Sequence, residues 1–133
     1  MTVYEFIAIL RERRCWDCGA PTHASNLGQR QCPVCRRKLS YTRLARRWAL
    51  AECYAEQRHY RSAASRTGVS RKTTLAMYAR FRTTVRFSEG DLWKFVHPFK
   101  SHADQINPEA KRRVLRTLFE QIFEPTLAGS KHR

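Results

Sequence analysis

Cys15-Trp16-Asp17-Cys18 and Cys32-Pro33-Val34-Cys35 hold four of the chain's five cysteines, with thirteen residues between the two pairs. A Cys-x-x-Cys knuckle curls the backbone so that both thiolates point to one ion, and two knuckles at this separation can close a tetrahedral site. All four positions are cysteine, so no coordination position is left for water, which marks a structural metal rather than a catalytic one. One structural Zn²⁺ on Cys15, Cys18, Cys32 and Cys35 is the expectation. So short a segment cannot bury enough apolar surface to fold alone, and the metal would supply that energy. A thioredoxin-type redox pair needs a βαβ setting, which the flanking sequence lacks, and an iron–sulfur centre is a minor alternative. His23, between the knuckles, reads as a solvated loop residue, and Cys53 as a packing residue.

Upstream, Thr2-Val3-Tyr4-Glu5 has the form of a capping box, and Val3, Phe6, Ile7 and Leu10 repeat at helical spacing. A helix over about 3–13 follows. Gly19, Pro21, Asn26, Gly28 and Pro33 break residues 14–40 into loops and short strands.

Downstream, Leu44, Trp48, Ala51 and Ala55 make one stripe of a helix over about 42–58. Shorter helices are expected at about 61–67 and 70–84, joined by a turn at Gly68. Residues 60–80 satisfy the physical demands of a helix-turn-helix. Ala64 is small enough for a close helix crossing, Gly68 tolerates a positive φ, Val69 plugs the core, and Ser70 caps the next helix. Thr74 and Met77 would face inward, leaving Ser70, Arg71, Lys72, Thr73, Ala76 and Arg80 outward.

The charge points the same way. Residues 41–86 hold 11 basic and 2 acidic residues, against 7 and 3 in residues 1–40 and 8 and 6 in residues 87–133. A polyanion would dock on the middle segment. Arg71 or Lys72 could bond guanine O6 and N7, and Ala76 could touch a thymine methyl. Arg43, Arg46, Arg47, Arg61, Arg66, Arg80, Arg82 and Arg86 would mostly meet phosphates.

In the tail, Ser88 reads as the cap of a helix through residues 91–96. Asn107-Pro108-Glu109 is a helix start, and that helix is expected to end at about Phe123, before Pro125. Leu115, Leu118 and Ile122, with the cluster of Trp93, Phe95, Val96 and Phe99, suit either packing on the helical core or dimerisation and partner docking through 87–123.

The two cysteine pairs, then Arg36-Arg37-Lys38-Leu39-Ser40, Trp48 and Gly68-Val69-Ser70-x-x-Thr73, resemble the N-terminal DNA-binding region of zinc-ribbon insertion-sequence transposases. They are also similar to the short repressor-like proteins that some insertion sequences encode from that region. The resemblance covers residues 13–86 and implies binding to terminal inverted repeats. A full transposase continues into an RNase H-like domain with three metal-binding acids. Only 47 residues follow position 86, and Asp91, Asp104, Glu109, Glu120 and Glu124 are scattered through helical text, so no nuclease or strand-transfer activity carries over.

The sequence therefore predicts a mainly α fold with a small zinc ribbon. An N-terminal helix and four-cysteine zinc ribbon (1–40) precede a three-helix helix-turn-helix unit (41–86) and a helical C-terminal extension (87–133). At 133 residues with a net charge of +15, the chain reads as a non-enzymatic, sequence-specific binder of double-stranded DNA. No apolar run approaches the roughly 18 residues of a membrane span, and the start lacks a secretory signal, so a cytoplasmic, nucleoid-associated protein is expected. Two alternatives stand beside it. An RNA-binding zinc ribbon would stack bases on exposed rings, with Tyr60, Tyr78 and Phe81 as candidates. An adaptor of a nucleoprotein complex would dock through the ribbon and the tail.

Overall fold

A computed structural model of the chain describes residues 1–25, 29–89 and 108–129. They form two compact units, residues 1–45 with the described residues from Thr126 on, and residues 46–125. The architecture is mainly helical with one small antiparallel sheet.

In the first unit, α1 spans Val3–Glu12. Thr2 Oγ1 accepts the Glu5 N–H at 3.1 Å, as the capping pattern predicts. The helix stops one residue short of expectation because Arg13 turns left-handed, at φ 55°. Phe6 is its fully buried residue. Three two-residue strands follow, β1 (His23–Ala24), β2 (Arg30–Gln31) and β3 (Lys38–Leu39), in the order β1-β2-β3. His23 pairs with Gln31 and Arg30 with Leu39. Thr22 ties the sheet to α1: its hydroxyl donates to the Arg13 carbonyl and accepts from Arg30 Nε at 2.9 Å.

Helix α2 spans Tyr41–Ala55, and the division between the units falls inside it. It ends earlier than the expected 58. Gln57 adopts φ 60°, its N–H bonds to Tyr54 O at 2.9 Å, and the Arg58 N–H bonds to Cys53 O at 3.0 Å. That pair of bonds is a Schellman stop, built here without glycine. Cys53 is buried, as expected.

In the second unit, α3 spans Tyr60–Thr67 and α4 spans Arg71–Glu89, packed on one another. His59 Nδ1 caps α3 by accepting the Arg61 N–H. Gly68 closes α3 at φ 75°, its N–H bonding to Ala64 O at 3.0 Å, a left-handed cap that favours glycine. Ser70 Oγ accepts the Thr73 N–H at 3.2 Å and starts α4. Ala63, Ala64, Thr74 and Met77 are buried, while Val69 is only half-buried. Helix α4 runs five residues beyond the expected 84, so Ser88 lies within it. The residues expected to form that element, 91–96 with Phe99, and the Asn107 cap lie outside the described residues.

Helix α5 spans Pro108–Leu118 and packs on α4. The chain does not stop at Phe123. Residues Phe119–Phe123 form a π-helical turn, and α6 (Glu124–Gly129) continues through Pro125. The Glu124 N–H reaches back to Phe119 O, so the wider turn brings Pro125 into the first turn of a new segment, where its missing donor is harmless.

The core of this unit is aromatic. Trp48 meets Phe119 and Phe123 edge-on, at centroid distances of 6.4 and 5.1 Å. Tyr54 packs against Tyr78 at 5.3 Å and Phe81 at 5.6 Å, and Phe81 against Phe123 at 6.5 Å. Val114, Leu118, Phe119, Ile122 and Phe123 are all buried. Leu118 and Ile122 of the expected stripe are buried within the chain, and Leu115 is half-buried.

Candidate functional site

The two knuckles have matching hydrogen bonds. Gly19 N–H bonds to Cys15 O at 2.9 Å, and Arg36 N–H to Cys32 O at 2.8 Å. Cys15 N–H bonds to Ala20 O, and Cys32 N–H to Arg37 O. The residue after each second cysteine is left-handed, Gly19 at φ 75° and Arg36 at φ 62°. Backbone donors also aim at sulfur: Asp17 N–H to Cys15 Sγ at 3.4 Å, and Cys35 N–H to Cys32 Sγ at 3.3 Å. Arg37 and Asp17, one beside each knuckle, pair at 3.7 Å.

Folding the knuckles together brings the Sγ atoms of Cys15, Cys18, Cys32 and Cys35 within 4.8 Å of one another. All four are thiols rather than disulfides, with Cys18 and Cys32 Sγ 3.5 Å apart. A tetrahedral ion with bonds of about 2.3 Å sets sulfurs about 3.8 Å apart, so the four can bind a metal ion with small adjustment. His23 is exposed on β1 and is not in the group.

The electrostatics favour a cation. Burial pushes the Cys15 thiol up. Cys35 is pushed to about 12, first by its hydrogen bond with Cys18 and then by burial and its other sulfur neighbours. Cys32 is held at about 7, chiefly by the Cys35 N–H. Four thiolates this close cannot all ionise together without a positive charge among them. Leu39 and Tyr41 back the cluster, and Trp16 meets the Tyr41 ring at 5.6 Å. The Tyr41 hydroxyl donates to Arg14 O, and burial pushes its pKa to about 12.

The second candidate surface is basic. Residues 57–88 include eight basic side chains and no acidic one. Arg61 and Arg66 are exposed on α3, and Arg71, Lys72, Arg80, Arg82 and Arg86 on α4. Thr73 and Ala76 are also exposed. Lys72, Ala76, Ala79 and Thr83 follow one helical face, opposite the buried Thr74, Met77, Tyr78, Phe81 and Val85. On α2, Arg43 and Arg46 are exposed and Arg47 is half-buried.

The expected roles divide on closer view. Ser70 Oγ accepts from Thr73 N–H and lies 3.0 Å from Thr73 Oγ1 as donor, so its hydroxyl is committed to the cap. Thr73 keeps its own hydroxyl proton to offer. Tyr78 and Phe81, candidates for base stacking, are buried in the core, and Tyr78 donates to Arg58 O at 2.9 Å. Tyr60 is half-buried beside His59, with the Arg61 guanidinium 5.8 Å above its ring. Tyr78 and Phe81 therefore present no open face for base stacking.

Sequence reading missed Leu75, which is 52% exposed on α4. Its neighbours on the helix surface hinted at it, since Arg71 and Lys72 lie four and three residues before it. No described helix is long and apolar enough to cross a membrane. No protein-family model, curated protein or solved structure matches the chain.

Proposed function

We propose that the chain is a zinc-stabilised, sequence-specific DNA-binding module, either a transposase-type DNA-binding region or a transcriptional regulator, with no catalysis of its own. The observation that carries this reading is the outward surface of α4, which combines basic side chains with small ones and follows a left-handed turn at Gly68. A single α-helix fits the major groove, and the first turn of such a helix meets the base edges. Arg71, Lys72 and Thr73 occupy that turn. Ala76 and Ala79 leave room for close approach, and Arg61, Arg66, Arg80, Arg82 and Arg86 supply phosphate contacts.

Zinc is the metal that suits the site. Four thiolates in a closed tetrahedral set are its usual structural coordination, and it brings no redox chemistry. Cys15, Cys18, Cys32 and Cys35 would hold it, and it would fix the two knuckles as one folded piece.

Selection from randomised duplexes by the zinc-loaded protein at about physiological salt tests the reading. An enriched motif is expected, and an inverted repeat in it would indicate two copies on one site. Retention without enrichment would reduce binding to charge alone and contradict the proposal. Metal analysis of the purified protein should give one zinc per chain.

A further inference from the structure

We infer that Leu75 is a specificity-determining residue of the DNA-reading surface, recognising the 5-methyl group of a thymine in the major groove. The inference rests on the DNA-binding reading above and extends it to a residue and a base. Leu75 is the one large apolar side chain exposed among the described residues of the second unit. It is not stray surface. On a helix, residues three and four apart are neighbours, so Arg71 and Lys72 lie on its N-terminal side and Ala79 on its C-terminal side. All three are exposed.

The occupant follows from the surroundings. A protein partner for a lone leucine beside two cations would need matching acids. Duplex DNA supplies negative charge on both walls of the groove and, on its floor, the methyl of thymine, the only apolar group there. Arg71 and Lys72 can reach polar base edges or phosphates while Leu75 covers a methyl between them.

The test uses the duplex enriched by the full-length, zinc-loaded protein. Each thymine is replaced in turn by deoxyuridine, which removes the methyl and nothing else. Wild type should lose about three- to tenfold in affinity at one position. Leu75→Ala should bind the parent duplex more weakly by a similar factor and become indifferent to deoxyuridine there. Its melting temperature should match wild type, because the side chain is exposed. A thymine whose methyl matters equally to wild type and Leu75→Ala, or an enriched site with no methyl-sensitive thymine, overturns the inference and leaves the DNA-binding reading standing. Absence of any enriched duplex overturns both.

Discussion

In residues 1–45 the interior is small and centred on sulfur, with Cys15 and Cys32 fully buried and Leu39 and Tyr41 around them. In residues 46–125 the interior is built of rings and branched side chains from α2, α4, α5 and the π turn. The difference shows what each segment can bury. Two-residue strands and tight knuckles offer little apolar area, so on the proposed reading their shape would depend on bonds to an ion. The helical unit buries Trp48, Phe81, Phe119 and Phe123 and gains its stability from that burial. Removing one source of order should therefore spare the other.

The largest effect is expected from a chelator. Structural zinc in small Cys-rich segments is worth about 10–16 kcal/mol, more than a knuckle unit can replace. Metal removal from the full chain should erase the dispersed amide resonances of residues 13–40 and leave those of residues 60–86. Simultaneous loss of both sets would mean that the two segments share one source of order. Next, Phe119→Asp should cost at least about 3–5 kcal/mol, because it opens a ring-sized gap and places a charge in the core. Thermal unfolding should register that loss with zinc content unchanged. A variant that stays as stable and only changes mass would instead make Phe119 an interface residue.

Arg71→Ala and Lys72→Ala test the outer surface rather than the interior. Each should weaken binding to the selected duplex by about 1–3 kcal/mol and relax base preference, with unchanged melting. If neither alters preference, the reading helix lies elsewhere.

The smallest effect concerns two carboxyls four residues apart. Burial pushes Glu56 up, but Lys111 Nζ at 2.7 Å and Arg58 Nε at 2.9 Å outweigh it and hold the carboxyl below 4.5. A lowered folded value means stability that is present above the unfolded value and lost as pH falls through the folded one. Glu56→Gln should thus cost about 0.5–1 kcal/mol at neutral pH, with the difference closing below pH 4.5. Glu52 has the opposite sign, because burial raises its carboxyl. Its charge costs stability as pH rises above 4.5, so Glu52→Gln should stabilise the neutral protein. Urea denaturation at several pH values reads both.

The cysteine cluster was legible because its signal is local: spacing alone brings each pair to one ion. The starts of α1, α4 and α5 were legible for the same reason, through Thr2, Ser70 and Pro108. Features that depend on distant partners were not. A single stripe described α2 poorly because the helix buries two faces, with Trp48 on Phe119 and Phe123 and Tyr54 on Tyr78 and Phe81. Leu50, outside that stripe, is fully buried. The continuation through Pro125 needed a π turn, which no residue pattern announces. Arg13, Arg36 and Gln57 take left-handed conformations that composition assigns to glycine, because the hydrogen bonds around them define the turn. Among the candidate interface residues, exposure separated Leu75 from its buried neighbours, and periodicity alone did not.

Whether α4 presents the surface that reads duplex DNA is open to direct observation. The isotopically labelled, zinc-loaded protein would be titrated with its selected duplex while backbone amides are followed by NMR. A reading helix at α4 predicts the largest shifts on residues 70–82, with smaller ones at Arg61 and Arg66. Shifts confined to residues 13–40, with α4 unmoved, would contradict it.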